Sequence, residues 1–188
     1  MSITPPSRPR LTRPELEERI RAAFQVQPAD LPPFYICGIR GYYRDTMGKP
    51  GANDRGLYDD ALFIVSPNAF AGFNGNTDPS THRQRIANLE PGIWASYQFD
   101  THGGIVPHPA ICQRLGPVTV RRDGVGLDTG MFGINIHRGG NGGTSSLGCQ
   151  TVPPAQWEAF YKLAKTEATR LYGNRWNKER ITYILLPE

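Results

Sequence analysis

Hydrophobic positions along the chain follow a helical period at both ends and a strand period between them. From Arg13 to Val26, Leu16, Ile20, Ala23 and Phe24 recur on one helical face, and Thr12 followed by Glu15 has capping-box spacing. Residues 13 to 26 are therefore expected to form an amphipathic helix. Pro28, Pro32 and Pro33 stop it and force an extended connection. From Phe34 onward the apolar runs shorten to 34–39, 61–65, 69–73, 93–99, 118–120, 132–136 and 181–186, separated by glycine, proline and asparagine. That pattern predicts strands joined by turns. Trp94 and Tyr97 fall on opposite faces of one predicted strand, as core or groove residues. Over Ala155 to Tyr172 the helical period returns through Trp157, Phe160, Tyr161, Ala164, Ala168 and Leu171, with prolines before it and Gly173 after it.

The expected fold is α+β and β-rich, a mixed sheet or sandwich with an N-terminal helix and a C-terminal amphipathic helix. Residues 1–33 read as helix and linker, and residues 34–188 as the main domain. Between the first two strands, residues 41 to 56 form a polar loop too long for a hairpin turn, and loops of that size are often functional.

At 188 residues the chain suits one domain, and its 21 glycines and 17 prolines favour turns and short strands over a helical bundle. A formal net charge of +4 suits a nucleic acid, a polyanionic cell wall or a membrane surface equally. The basic residues are dispersed and the aromatics do not interleave with them, so nucleic acid is not an expected partner. No stretch approaches the ~18 apolar residues of a membrane span, and Met1 to Pro6 lacks the apolar run of a secretory signal. Synthesis in the cytoplasm is expected, with another route out if the substrate lies beyond the membrane.

Three cysteines with no close pair indicate neither a disulfide scaffold nor a compact metal knuckle. Cys37, inside an apolar run, reads as a small buried hydrophobe, and a Cys37–Cys112 disulfide is compatible with the count. Cys149 is different. It follows His137 across a loop containing Gly139, Gly140, Gly142 and Gly143, and Gly148 directly precedes it. A thiol with an ordinary pKa of ~8.5 is mostly protonated at neutral pH and needs a base or a positive field beside it to act as a nucleophile. His137, alternating with Ile134 and Ile136, is placed at the end of a half-buried strand with its side chain free to enter a cleft. The glycines allow positive φ and a close backbone approach, so amide N–H groups of the turn could face a developing oxyanion.

A strand histidine followed by a loop ending in Ser146-Leu147-Gly148-Cys149 resembles the catalytic signature of the L,D-transpeptidase (YkuD-type) family, whose enzymes work on peptidoglycan stem peptides. The motif covers residues 132 to 150, and the family's β-rich fold extends the resemblance over roughly residues 34 to 154. It implies Cys149 as the acyl-accepting nucleophile, His137 as general base, and Ser146 and Gly148 as the structural part of the nucleophile turn. It implies no cofactor. The expected partner is peptidoglycan, with no transmembrane segment, and the expected state is a monomer. Two features depart from the family. Leu147 and Thr151 stand where it usually has a second histidine and an arginine, and only eleven residues separate His137 from Cys149. Arg138 is the candidate to take over carboxylate recognition. Without a signal peptide, a phage lytic protein or a delivered antibacterial toxin is a better expectation than a housekeeping wall-building enzyme.

Three alternatives stand beside that reading. A muramidase-like glycan hydrolase needs two opposed carboxylates at about 5–9.5 Å. Asp59, Asp60 and Glu90 are candidates, with Asp45 and Asp54 nearby in sequence, although neighbours on a strand point to opposite faces. The plain role of such acids at a strand entry is to bond the loop backbone. A metal site would draw on His102, His108, His137 and Cys149, whose spacing matches no compact zinc motif, and none is expected. A non-catalytic wall-binding module would keep the fold and lose the chemistry. Asn74 and Asn76, in an Asx-rich turn, are candidate substrate contacts, and His82 reads as a surface loop residue.

Overall fold

The Thr12 hydroxyl accepts the Glu15 amide at 3.4 Å, and the Glu15 carboxylate accepts the Thr12 amide at 2.7 Å, so the capping box forms as the sequence predicts. Helix α1 (Arg13–Phe24) starts there in a computed structural model that describes residues 2–103 and 105–188. After it come β1 (Tyr35–Ile39), β2 (Asp60–Ser66), β3 (Ala69–Gly75), β4 (Ala87–Leu89), β5 (Gly92–His102) and β6 (His108–Gln113). The chain continues through β7 (Val118–Arg122), β8 (Gly126–Gly130), β9 (Ile136–Arg138), β10 (Gln150–Val152), helix α2 (Pro154–Tyr172) and β11 (Ile181–Leu186).

Eight strands form one mixed sheet in the order β10-β9-β6-β5-β11-β1-β2-β3. Within it β1–β11 and β9–β10 run parallel, and the other pairs run antiparallel. Just beyond β3, Asn76 and Thr151 exchange backbone hydrogen bonds at 2.9 and 2.8 Å, which bring the two ends of the sheet together into a nearly closed, barrel-like form. Strands β4, β7 and β8 make a small second sheet. The architecture is thus β-rich α+β with terminal helices as expected, and a curled sheet takes the place of a sandwich.

The central strands lack polar alternation because both of their faces are covered. On one side Leu16 and Ile20 of α1 pack with Tyr35, Cys37, Phe63 and Ile184. On the other, Phe160, Ala164 and Ala168 of α2 pack with Ile36, Leu62, Ile64 and Leu185. The residues before β1 are therefore packed onto the main sheet, and the Ser7 carbonyl accepts the Asn74 carboxamide at 3.0 Å. Gly38 in β1 leaves room for Tyr183, whose hydroxyl a Cβ at that position would strike. That hydroxyl donates to Gln150 Oε1 at 3.0 Å, tying β11 to the strand that follows Cys149.

Residues 132 to 135, expected as strand, are not. The amides of Phe132, Gly133 and Ile134 all donate to Gln113 Oε1 at 3.0–3.1 Å, so one carboxamide replaces a partner strand. Strands β4, β6, β8 and β10 go beyond the hydrophobic pattern, being short, polar or interrupted by Pro109. Cys37 and Cys112 are both free and buried, so the compatible disulfide is not formed. No described helix is long and apolar enough to cross a membrane.

Thr12→Ala removes an N-cap and is expected to cost about 1 kcal/mol. Thermal unfolding should show a Tm lower by about 2–4 °C for a chain of this size, and an unchanged Tm would mean that α1 adds nothing to the cooperative unit.

Candidate active site

The parallel register of β9 and β10 pairs Gln150 with Ile136 and Thr151 with His137, so the residue before β10 arrives beside the start of β9. That residue is Cys149. Its amide neighbour Gly148 adopts φ of 134°, and a Cβ there would come 2.5 Å from the Ala87 carbonyl oxygen. Only glycine suits that turn. Ser146 braces it from within, its hydroxyl donating to the Cys149 carbonyl at 2.7 Å and accepting the Gly148 amide at 3.0 Å. Gln150, held by Tyr183, donates to the Gly148 carbonyl at 3.2 Å. With the Gly148 amide engaged, the Cys149 N–H has no partner among the described residues.

The glycine loop is clasped by two other loops. Tyr58 donates to the Gly140 carbonyl at 2.8 Å, and the Ser80 hydroxyl accepts the Ser146 amide at 2.7 Å. The long polar loop before β2 is itself held by its surroundings. Arg55 pairs with Asp123, and Asn53 donates to Asp78.

Cys149 is half-buried, and its thiol donates to the Gly133 carbonyl at 3.4 Å and accepts the Asn135 N–H at 3.4 Å. Burial pushes its pKa up, and the Asn135 amide only partly opposes this. His137 is 6% exposed, with the His102 ring stacked on it. Its Nδ1 donates to the Arg138 carbonyl at 2.8 Å, which leaves the lone pair on Nε2. Burial pushes its pKa down to about 4, assisted by His102 and His108 and opposed by the bond to Arg138. The resting pair is thus neutral thiol and neutral imidazole.

His102, at the end of β5, completes the group, and one ligand-type atom each from His102, His137 and Cys149 lies within 4.8 Å of the others. The rings of His102 and His137 stack at 4.3 Å and 19°, and His108, opposite His102 in the hairpin register, meets His102 edge-on at 5.4 Å. Such a trio has metal-ligand character, but its outer contacts fit ligation poorly. A metal-bound histidine donates its other N–H to an acceptor, and His102 Nδ1 instead meets the Asn135 carboxamide nitrogen at 2.9 Å. The residue types were visible in the sequence but their meeting was not, since the β5–β6 hairpin sets His102 opposite His108 and the β6–β9 pairing brings in His137, 35 residues beyond His102. The one local signal was a pair of histidines flanking a glycine pair at 102–108.

Other candidates lie elsewhere. Arg138 is exposed and forms no ion pair among the described residues, whereas Leu147 is 68% exposed and Thr151 fully buried. Asn74 and Asn76, taken as substrate contacts, are buried. Asn74 is bonded to Ser7 and Gln156, and the Asn76 carboxamide donates to the Asp78 carbonyl. A substrate has no access to them. Asp60 is fully buried and accepts the amides of Gly41 and Thr77. Asp59 is 1% exposed, accepts the Asp54 amide, and is pushed up to about 7 by burial. Both serve as loop anchors and present no carboxylate to a glycan strand. Glu90 is engaged by Arg121 at 2.9 Å, and its carbonyl accepts Trp94 Nε1. Trp94 is half-buried and Tyr97 belongs to the core, while His82 is exposed as expected. A cavity of about 560 Å³, lined by Arg19, Tyr42, Tyr43 and Asp45 among others, includes none of the His–Cys group.

Neither the protein-family models, nor the curated proteins, nor the solved structures compared with this chain match it.

Two outcomes follow from the neutral pair. Iodoacetamide should label Cys149 slowly at pH 7 and faster as pH rises above 9, whereas a thiolate–imidazolium pair would give a rate already at its plateau below neutrality. His137 also bears on stability. Its pKa lies near 4 in the fold and near the ordinary 6.5 when unfolded, so the unfolded chain takes up the proton first as pH falls. Its contribution is intact above about 6.5 and lost between about 6.5 and 4. Urea unfolding of His137→Gln should show a shallower loss of stability across that window than the parent chain, and equal slopes would contradict the buried neutral imidazole.

Proposed function

We propose that this chain cuts or remodels peptidoglycan stem peptides through a thioester on Cys149, as a divergent L,D-transpeptidase-like enzyme. The observation that supports this most is the meeting of Cys149 and His137 across the β9–β10 register, with His137 held so that Nε2 has the free lone pair.

In the proposed reaction the thiol rotates from the Gly133 carbonyl toward His137, and Nε2 takes its proton as the sulfur attacks the peptide carbonyl carbon. The carbonyl oxygen becomes an oxyanion, for which the unpaired Cys149 N–H is a ready donor. The C–N bond then breaks, and the imidazolium returns its proton to the departing amine. An imidazolium whose pKa is near 4 is a strong acid for that step. Water or an acceptor amine next attacks the thioester, gives its proton to His137, and expels the sulfur, which regains the proton. Water yields hydrolysis and an amine yields a cross-link.

Arg138, exposed beside the base, is the candidate to hold a substrate carboxylate. Mass analysis of purified walls incubated with the protein should show altered stem peptides with no new reducing sugar ends, and Cys149→Ala should leave the walls unchanged. Release of reducing ends, or full activity of Cys149→Ala, would overturn this function.

A further inference from the structure

We propose that Asn135 and His102 form a positioning pair that fixes the His137 ring beside Cys149, with Asn135 determining which nitrogen of His102 holds the proton. This rests on the acyl-transfer reading of the same site. Asn135 uses every polar group it has. Its amide donates to Cys149 Sγ at 3.4 Å, and its carbonyl accepts the Gln150 amide at 2.8 Å. Its Oδ1 accepts the Gln113 amide at 2.9 Å, and its Nδ2 lies 2.9 Å from His102 Nδ1. A backbone N–H only donates, so Oδ1 must face Gln113 and the NH₂ must face His102. His102 Nδ1 is then an acceptor, and the proton of the neutral ring sits on Nε2.

The His137 ring has the opposite arrangement, with Nδ1–H bound to the Arg138 carbonyl. The two rings stack at 4.3 Å and 19°. One residue thus joins the sulfur, through its backbone N–H, and the ring that covers the base, through its side chain. A second proton on His102 would set an N–H against the Asn135 NH₂, donor against donor, and this contact keeps His102 uncharged. Burial acts in the same direction, and so do His108, edge-on to both rings, and Arg114, which is paired with Asp100 at 2.8 Å. Leu147 turns into solvent, so the second ring beside the base comes from β5 rather than from the nucleophile turn.

The test uses the full chain with ¹⁵N-labelled histidine. At pH 7 the parent protein should show His102 as the Nε2–H tautomer and His137 as the Nδ1–H tautomer. Asn135→Asp keeps an acceptor for Gln113 and presents a carboxylate oxygen to His102, so Nδ1 should take up a proton from solvent while Nε2 keeps its own, and the ring should become an imidazolium. Turnover of walls should then fall about tenfold or more in kcat with KM little changed, as expected for a misplaced base. It should recover as pH rises past the new His102 midpoint. His102→Gln, whose Oε1 can accept from Asn135, should retain more activity than His102→Ala. Finding His102 as the Nδ1–H tautomer or as a cation in the parent protein overturns the proposal, and so does an Asn135→Asp variant with the altered tautomer but unchanged kcat. A parent protein inactive on walls overturns the acyl-transfer reading alone. The pair is then decided by the spectra and by iodoacetamide labelling of Cys149, whose pH profile shifts in Asn135→Asp if the pair holds and is unmoved if it does not.

Discussion

The short parallel pairing of β9 with β10 is the constraint on which the site depends. Three register pairs set Cys149 next to Asn135 and His137, and a slip of one residue would turn His137 to the opposite face. Three-residue strands cannot hold a register alone, so other parts of the fold fix it. Tyr183 reaches from β11 to Gln150, a space made by Gly38. Asn76 bonds Thr151 from beyond β3, and Gln113 gathers three successive amides just before β9. Closure of the sheet and geometry of the site are one arrangement.

The same closure determines the electrostatics. Burial pushes the pKa of the imidazole down and that of the thiol up. Cys37, fully buried and without a histidine, is also pushed up, and Cys112 rises to about 11. Burial alone therefore makes an inert thiol. What sets Cys149 apart is its partial exposure, the Asn135 N–H at its sulfur and a His137 ring nitrogen within 4.8 Å. In the proposed reaction proton transfer accompanies attack, because no ion pair stands ready beforehand.

Much of this was legible in the sequence. The capping box, both helices and the long apolar strands followed from period and punctuation, and Gly148 marked a turn that only glycine fits. Where the signal failed, contacts distant in sequence had replaced local pattern. Residues 132 to 135 have strand periodicity, yet a glutamine side chain takes the place of a partner strand. Asn74 and Asn76 have turn composition, yet closure of the sheet buries them. Asn135 was the largest omission, and His102 was read only as a metal-ligand type, since nothing local to either shows that the fold will set one against the other. Asp59 and Asp60, read as possible acids of a glycan hydrolase, show the converse. Strand alternation argued against their acting together, and the fold uses each to hold loop backbone.

The central claim is that Cys149 forms a covalent acyl intermediate with His137 as its base. Intact-protein mass spectrometry of a reaction with purified disaccharide-tetrapeptide, quenched in acid within the first turnovers, tests it most directly. The account predicts a mass increase equal to the acyl fragment, mapped to Cys149 and absent in His137→Gln. No adduct under conditions where product forms, or an adduct on any other residue, would contradict it.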